Sequence, residues 1–310
     1  IAGGDSHTPT AGAFGAYAAG YGATDMAAIA ATGETWLAVP ETIRVEWTGS
    51  FARGVTAKDV MLFLCRELGM DNAFKAVEFA GPLVEAMPMA ERMVLANMAA
   101  ELGAETGVVA PDAVTFAYLA ARGAPVLDEA AALALHSDAD AAYAAVHRFD
   151  ASGLTPQIAA PHSPANTRDA TQFADVRIDQ AYIGACVGAK IEDLRMAAEV
   201  LKGRRVAPGV RLLVAPGSAR TAELAAREGV METLLAAGAV LMPSGCGACA
   251  GMGAGILAQG ETCISSTNRN FQGRMGHAGA NVYLGSPYAV AAAAATGRIV
   301  DPRPFLKGAA

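Results

Sequence analysis

Residues 180–215 read QAYIGACVGAKIEDLRMAAEVLKGRRVAPGVRLLVA. An apolar run, Gln180–Gly184, gives way to an amphipathic stretch, Glu192–Lys202, and then to a second apolar run, Arg211–Ala215. Short apolar runs on either side of a helical period predict a strand–helix–strand unit with parallel strands. The alternation continues, with helices expected over Ala219–Glu228 and Tyr288–Ala295 and strands at Val240–Met242, Thr262–Ser265 and Asn281–Leu284. Repetition at this spacing predicts an α/β domain, a parallel sheet covered by helices. In such sheets ligands bind beyond the carboxyl ends of the strands. The unusual residues fall there: Cys186 follows the first strand, Cys246-Gly-Ala-Cys249 follows Val240–Met242, and Asn268–Arg274 follows Thr262–Ser265.

Toward the N-terminus, Ser152–Ala170 holds three prolines and little apolar periodicity, which predicts a hinge and a domain boundary. Before it, Ile43–Thr48 alternates as a strand, and helices fit Ala57–Leu68 and Ala90–Leu102. Glycines at 12, 15, 20, 22 and 33 punctuate an alanine-rich opening that reads as a turn and a closely packed helix. The chain opens Ile-Ala-Gly-Gly-Asp without an initiator Met or a signal-peptide pattern, which reads as the interior of a longer protein with part of its active site elsewhere.

At 310 residues, 53% of them hydrophobic, the chain has enough apolar material for two or three cores, yet no apolar run approaches the ~20 residues of a membrane span. A net charge of −7 argues against a nucleic-acid surface, and it leaves an anionic substrate dependent on locally placed arginines. Five scattered cysteines do not form a secreted disulfide framework, and thiolate-held metal suits a reducing cytoplasm.

Cys186, Cys246 and Cys249 carry the chemistry of the second half. Three thiolates hold an iron–sulfur cube at three corners and leave the fourth iron open as a Lewis acid. A three-ligand zinc site, a redox pair or buried apolar sulfur are the alternatives that spacing alone leaves open. Cys65 and Cys263 lie in apolar helical and strand patterns and read as core thiols, as Met87, Met89, Met93 and Met98 read as core methionines. His136, His147, His162 and His277 read as loop or surface residues.

Gly4-Asp5-Ser6-His7-Thr8 sets a carboxylate, a hydroxyl and an imidazole side by side, a cluster able to bind a polar ligand and move protons near neutral pH, or simply to cap the next helix. Glu78, alone in the apolar run Ala-Val-Glu-Phe-Ala-Gly, calls for a buried partner, and His7 is the expected one. Arg269 and Arg274, flanked by Asn268, Asn270 and Gln272, offer two guanidinium forks suited to a di- or tricarboxylate. Gly251-Met-Gly-Ala-Gly255 lacks the spacing of a dinucleotide loop and reads as close backbone packing beside the CxxC.

Gly-Asp-Ser-His-Thr, Val-Glu-Phe-x-Gly, Gly-x-Cys, Gly-Cys-Gly-x-Cys-x-Gly and Asn-Arg-Asn-Phe-x-Gly-Arg, in this order from residue 1 to about 303, resemble the aconitase superfamily and within it the large subunits of its two-subunit dehydratases. The resemblance implies three-layer α/β domains around an iron–sulfur cluster: residues 1–42 as the remnant of a first domain, 43–160 as a second, and 161–310 as a third carrying the ligands. It implies that Cys186, Cys246 and Cys249 ligate a [4Fe-4S] cluster, that Asn268 donates to it, and that Arg269 and Arg274, with Ser6, hold substrate. Asp5 and His7, the latter paired with Glu78, are implied as the groups handling the leaving hydroxyl. The sequence departs from the pattern at Ala185-Cys186-Val187-Gly188, where the family has Ser-Cys-Thr-Asn, removing three hydrogen-bonding side chains near the cluster. Ala248 and Ala250 replace the usual Pro and Leu or Ile.

The activity implied is reversible dehydration of a hydroxy-di- or tricarboxylate, completed by a small subunit whose swivelling domain brings a serine base, with no nucleic acid or membrane as partner. A cluster-dependent sensor or binding subunit without turnover is the alternative of another class, and an electron carrier is disfavoured by the count of three cysteines.

Overall fold

The computed structural model describes residues 1–125 and 128–306. Its strands are β1 Ala2–Gly3, β2 Ala19–Gly20, β3 Glu41–Thr48, β4 Lys75–Ala80, β5 Thr106–Val109, β6 Ala145–Asp150, β7 Gln157–Ala159, β8 Thr167–Asp169, β9 Gln180–Ile183, β10 Arg211–Val214, β11 Val240–Leu241, β12 Thr262–Ser265 and β13 Asn281–Leu284. The helices that matter below are α1 Ala23–Thr32, α2 Ala57–Glu67, α3 Met89–Asn97, α4 Ala113–Ala120, α5 Ile191–Leu201, α6 Ala219–Arg227, α7 Val230–Ala237 and α8 Pro287–Thr296. The chain divides into two compact units, Ile1–Ser50 with Leu68–Gly153, and Phe51–Glu67 with Leu154–Ala310. These cuts differ from the expected three-part division at 42 and 160. Residues 1–42 fold with the 68–153 segment, and α2 belongs to the second unit although it lies between β3 and β4 in sequence.

In the first unit β5-β4-β3-β6 form a parallel sheet. Alternation along β3 buries Ile43, Val45 and Trp47 and turns the intervening residues outward, the period-2 pattern of a half-covered strand. The 3₁₀ segment Thr8–Phe14 packs on α3 and β5. Gly12 permits this, because a Cβ there would lie 1.8 Å from the Gly107 carbonyl oxygen. α1 buries none of its residues, and Trp36 and Val39 after it are exposed.

The second unit is built on a seven-stranded sheet of order β11-β10-β9-β12-β13-β7-β8. Strands β11 to β13 in that order pair parallel, while β7 and β8 join antiparallel at one edge. The expected hinge at 152–170 therefore contains two short strands, kept to three residues each where Pro156, Pro161 and Pro164 interrupt the chain. The core gathers Ile158, Ile183, Leu194, Leu212, Ile264 and Val290. Helix α8 is alanine-rich with Ala289, Ala291, Ala292, Ala293 and Ala294 all fully buried, so small side chains let it lie close against α5 and β9. It starts on a Ser286 cap with Pro287 in its first turn and ends at Gly297 in the left-handed conformation.

Candidate functional site

Beyond the carboxyl ends of β9, β11 and β12, three loops of the second unit bring together most of the residues singled out in the sequence. The chain leaves β9 through Gly184, where a Cβ would stand 2.2 Å from the Tyr182 ring, and enters the one-turn helix Ala185–Gly188. Ala185, immediately before Cys186, has φ +68°, a left-handed conformation that a residue with a Cβ adopts only against a cost. The neighbouring loop holds this turn: Ser266 Oγ accepts the Gly184 N–H at 3.1 Å and donates to the Gly188 carbonyl at 3.0 Å. A Cβ at Gly188 would meet that same hydroxyl at 2.4 Å. Glycine at 188 is thus what the Ser266 clamp requires.

The second loop carries Cys246 and Cys249 on the 3₁₀ turn Gly247–Ala250, with the Cys249 N–H on the Cys246 carbonyl at 3.0 Å. Tyr182 donates its hydroxyl to the same carbonyl at 3.4 Å, tying this loop to β9. Burial pushes the Tyr182 phenol up to about 12, and the nearby Cys249, Cys246 and Cys263 reinforce the shift. Cys186 and Cys246 are exposed, Cys249 is buried, and all three are free thiols. Burial raises Cys249 above the usual thiol range; Arg274 and Lys58 oppose the shift, and Cys246 adds to it.

The third loop follows β12. Ser265, Ser266, Thr267 and Asn268 are all buried, Ser265 Oγ donating to Thr267 Oγ1 at 2.9 Å. Asn270 anchors the loop through Nδ2, which donates to the carbonyls of Ala160 at 2.8 Å and Val282 at 3.1 Å. Arg274 hydrogen-bonds the Cys249 sulfur, and its Nε is buried without a partner. Gly251, at φ +72°, would place a Cβ 3.0 Å from the Arg274 carbonyl, so glycine lets the cysteine loop lie against the arginine backbone.

These residues fit an iron–sulfur cluster. The loops offer three thiols on two separate turns, backbone cleared by glycines, and a half-buried arginine, Arg274, whose buried Nε has no partner. That set suits the corners of a polynuclear cluster and a carboxylate beside it.

The first unit holds the other group. Asp5 Oδ1 accepts the His7 N–H at 2.7 Å, and Ser6 Oγ lies 3.5 Å from His7 Nδ1. His7 Nε2 meets Glu101 Oε1 at 3.1 Å, with the Glu101 side chain fully buried. Asn97 Nδ2 donates to Thr10 Oγ1 at 2.8 Å, and Thr10 Oγ1 donates to the His7 carbonyl, so α3 holds the turn that carries the imidazole. The expected His7–Glu78 pair is thereby corrected: the histidine's carboxylate is Glu101. Glu78 faces Arg44 across the β3–β4 register and accepts from Arg44, from Ser137 Oγ at 2.6 Å and from Tyr143 at 3.2 Å. The sequence also held no signal for Lys58, Ser266 or Asn97, whose parts are played through contacts dozens of residues away.

Cys65 and Cys263 are fully buried, and burial pushes Cys263 up to about 12, as inert core thiols require. His136 Nε2 lies 2.8 Å from the Pro111 carbonyl and His277 Nδ1 accepts the Gly279 N–H, so both serve local structure.

The carboxyl-edge loops of a mostly parallel α/β sheet thus carry three thiols and two arginines. The model of the aconitase family (aconitate hydratase) matches residues 1–175 and 166–297, and the chain belongs to that family. It is 47% identical over 311 residues to 3-isopropylmalate dehydratase large subunit 1 of Methanopyrus kandleri, the match covering 99% of this chain and 72% of that protein. With 3-isopropylmalate dehydratase large subunit of Oleidesulfovibrio alaskensis the identity is 48% over 304 residues, covering 98% and 71%. With the "Probable methanogen homoaconitase large subunit" of Methanosarcina mazei it is 45% over 304 residues, covering 98% and 76%. No helix among the described residues is long and apolar enough to cross a membrane.

Proposed function

We propose that this chain is the cluster-carrying large subunit of a cytoplasmic hydro-lyase, a 3-isopropylmalate dehydratase serving leucine biosynthesis, that works with a small subunit. The observation that carries the proposal is the pairing of half-buried Arg274, whose buried Nε has no partner, with the Cys249 sulfur on the loops that also present Cys186 and Cys246. A [4Fe-4S] cluster held by Cys186, Cys246 and Cys249 supplies, when bound, an open iron that polarises a hydroxyl and a carboxylate.

The chain's own residues do the rest. Arg274 and Arg269 bind substrate carboxylates, since a guanidinium grips a carboxylate through two parallel N–H bonds. Asn268 donates toward the cluster. Glu101 accepts the hydrogen bond from Nε2–H of His7, so the imidazolium form carries its second proton on Nδ1, from which it passes to the departing hydroxyl, leaving the neutral Nε2–H imidazole that takes a proton back on rehydration. Ser6 and Asp5 line that Nδ1, at 3.5 and 3.8 Å, and orient it. The proton on the neighbouring carbon leaves to a base on the small subunit, and the net change is loss of water to give an unsaturated acid, then re-addition.

The test is anaerobic reconstitution with iron and sulfide, addition of a small subunit, and an ultraviolet assay of the unsaturated product from 3-isopropylmalate. Homocitrate and citrate form parallel arms, because a homoaconitase subunit is also among the relatives. Product from isopropylmalate that vanishes in Cys186→Ala, Cys246→Ala and Cys249→Ala supports the proposal. Turnover confined to homocitrate would move the substrate, and full iron and sulfide content in any one of the three variants would remove that cysteine from the ligand set.

A further inference from the structure

Ser266 is fully buried and stands one residue past the end of the β9–β12 ladder, in which Ser265 pairs with Tyr182. Its N–H donates to the Tyr182 carbonyl at 3.0 Å, so the backbone beneath the hydroxyl is fixed to β9. On its other side Lys58 Nζ donates to the Thr267 carbonyl at 2.7 Å. All of these groups lie within the second unit.

The hydroxyl continues where the ladder stops. It accepts from the Gly184 N–H and donates to the Gly188 carbonyl, and these two residues precede and end the turn that carries Cys186. A serine hydroxyl has a single proton, and here that proton and an acceptor site are both spent on main chain. The carbonyls on either side of Gly188 are taken by other groups: Val187 by Lys190 Nζ at 2.6 Å, Ala189 by the Gly217 N–H at 2.9 Å. Cys186 thus sits on a turn clamped at both ends. The clamp works against strain, because Ala185 and Phe74 are the only non-glycine residues with positive φ among the described residues. A residue with a Cβ keeps that conformation only where surrounding contacts over-determine it.

We propose that Ser266 is a positioning residue for the cluster site: its hydroxyl holds Ala185 left-handed in the cluster-free chain, and so fixes the backbone of Cys186 before any iron arrives. The inference rests on the reading of Cys186 as a cluster ligand. It assigns Ser266 no contact with substrate and no proton transfer.

The wild-type chain is compared with Ser266→Ala, Ala185→Gly and the double variant, first without a cluster and then after anaerobic reconstitution. Ile299→Val, which trims the core of the same unit, is the control for lost stability alone. The first readout is hydrogen exchange resolved to the Gly184 amide. In the cluster-free wild type this amide is expected to be protected, although it lies beyond the ladder, and Ser266→Ala is expected to speed its exchange by at least about tenfold, the worth of one net hydrogen bond. The second readout is the rate at which a chelator strips iron from reconstituted chain, expected to rise in Ser266→Ala by a similar factor and to stay near wild type in Ile299→Val. Ala185→Gly removes the strain without touching the hydroxyl, so the double variant is expected to lose iron at a rate back toward wild type.

A Gly184 amide that exchanges freely in the cluster-free wild type overturns the inference, and this arm decides the question even if Ser266→Ala does not fold. So does iron loss from Ser266→Ala no faster than from Ile299→Val, which would reduce Ser266 to a packing role. Failure of Ala185→Gly to slow the loss also overturns it, since the hydroxyl would then not be holding Ala185. Full iron content in Cys186→Ala would instead overturn the ligand reading, with the exchange result left standing.

Discussion

His7 and the two glutamates show how a single contact redirects a functional assignment. Glu101 binds Nε2 of His7 with a fully buried side chain, whereas Glu78 is absorbed by Arg44, Ser137 and Tyr143. Glu101→Gln keeps an acceptor for the Nε2 proton but removes the charge that favours imidazolium, so kcat is expected to fall by roughly 10²–10⁴, the usual worth of a general acid–base. Glu78→Gln is expected to leave kcat within a factor of a few and to lower unfolding stability by about 1–3 kcal/mol, the cost of weakening a charged hydrogen bond. Steady-state kinetics and urea unfolding of both variants check this; equal losses of kcat would restore Glu78 to the proton path. Glu101 was hidden in the sequence because it closes a run of helical period and lies 94 residues from its histidine. Glu78 stood out as a lone acid among apolar neighbours, and nothing in a linear pattern reveals that Arg44 shares its register. The cysteines and arginines were legible for the opposite reason. Their loops follow strands directly, so chain order already places them on one edge. Arg274→Lys is expected to raise KM by a factor equivalent to about 1.5–3 kcal/mol, since ammonium cannot form the bidentate pair, and an unchanged KM in the reconstituted enzyme would remove Arg274 as the carboxylate anchor.

At the scale of elements, the βαβ succession from β9 to α8 follows the expected boundaries within one or two residues, because each segment is short, strongly apolar or strongly periodic. Helices α7 Val230–Ala237 and α4 Ala113–Ala120 were not anticipated, and two further features escaped. β7 and β8 are three-residue edge strands among prolines, too short for alternation to register. The membership of α2 was equally invisible, since its period predicts a helix but not which sheet it serves. The Asp59 carboxylate decides that by capping its own helix at Thr56 and binding the Gln157 N–H at the start of β7. Burial pushes Asp59 from 3.8 up to about 6, against the pull of those donors. A carboxyl with a raised native pKa binds its proton more tightly folded than unfolded. Its contribution to stability is therefore complete below about pH 4 and is lost as pH rises through about 6. A rise of that size is worth about 3 kcal/mol. Asp59→Asn, an isostere of the protonated form, is expected to flatten the pH dependence of the urea midpoint between about pH 4 and 7. Parallel wild-type and mutant profiles would show that Asp59 does not titrate there. Asp59→Ala, which abandons the buried N–H groups of Thr56 and Gln157, is expected to cost about 2–6 kcal/mol at any pH in that range.

At the scale of the whole molecule, the charge balance and the chemistry of the second unit's edge bear on what the chain does by itself. A net charge of −7 gives an anionic substrate no general attraction, so binding falls to local guanidinium groups. The basic side chains identified at that edge are Arg269, Arg274 and Lys58. Arginine stays protonated at any physiological pH, and an ammonium carries no lone pair, so neither is poised to take a proton from carbon. The flanking groups there are amides, hydroxyls and thiols assigned as ligands. Dehydration, however, removes a proton from the carbon next to the hydroxyl-bearing one, and that step requires a base. The relatives are named large subunits, a name that implies a small subunit, and the proposed function has that partner supply the base. Reconstituted chain alone is therefore expected to bind 3-isopropylmalate, seen as a substrate-dependent change in the cluster's spectrum, without exchanging the substrate's carbon-bound proton in D₂O. Adding a small subunit is expected to switch on both exchange and release of the unsaturated acid. Proton exchange by the chain alone, above a Cys246→Ala control, would mean that a base lies within this chain, with His7 as the first residue to test by substitution.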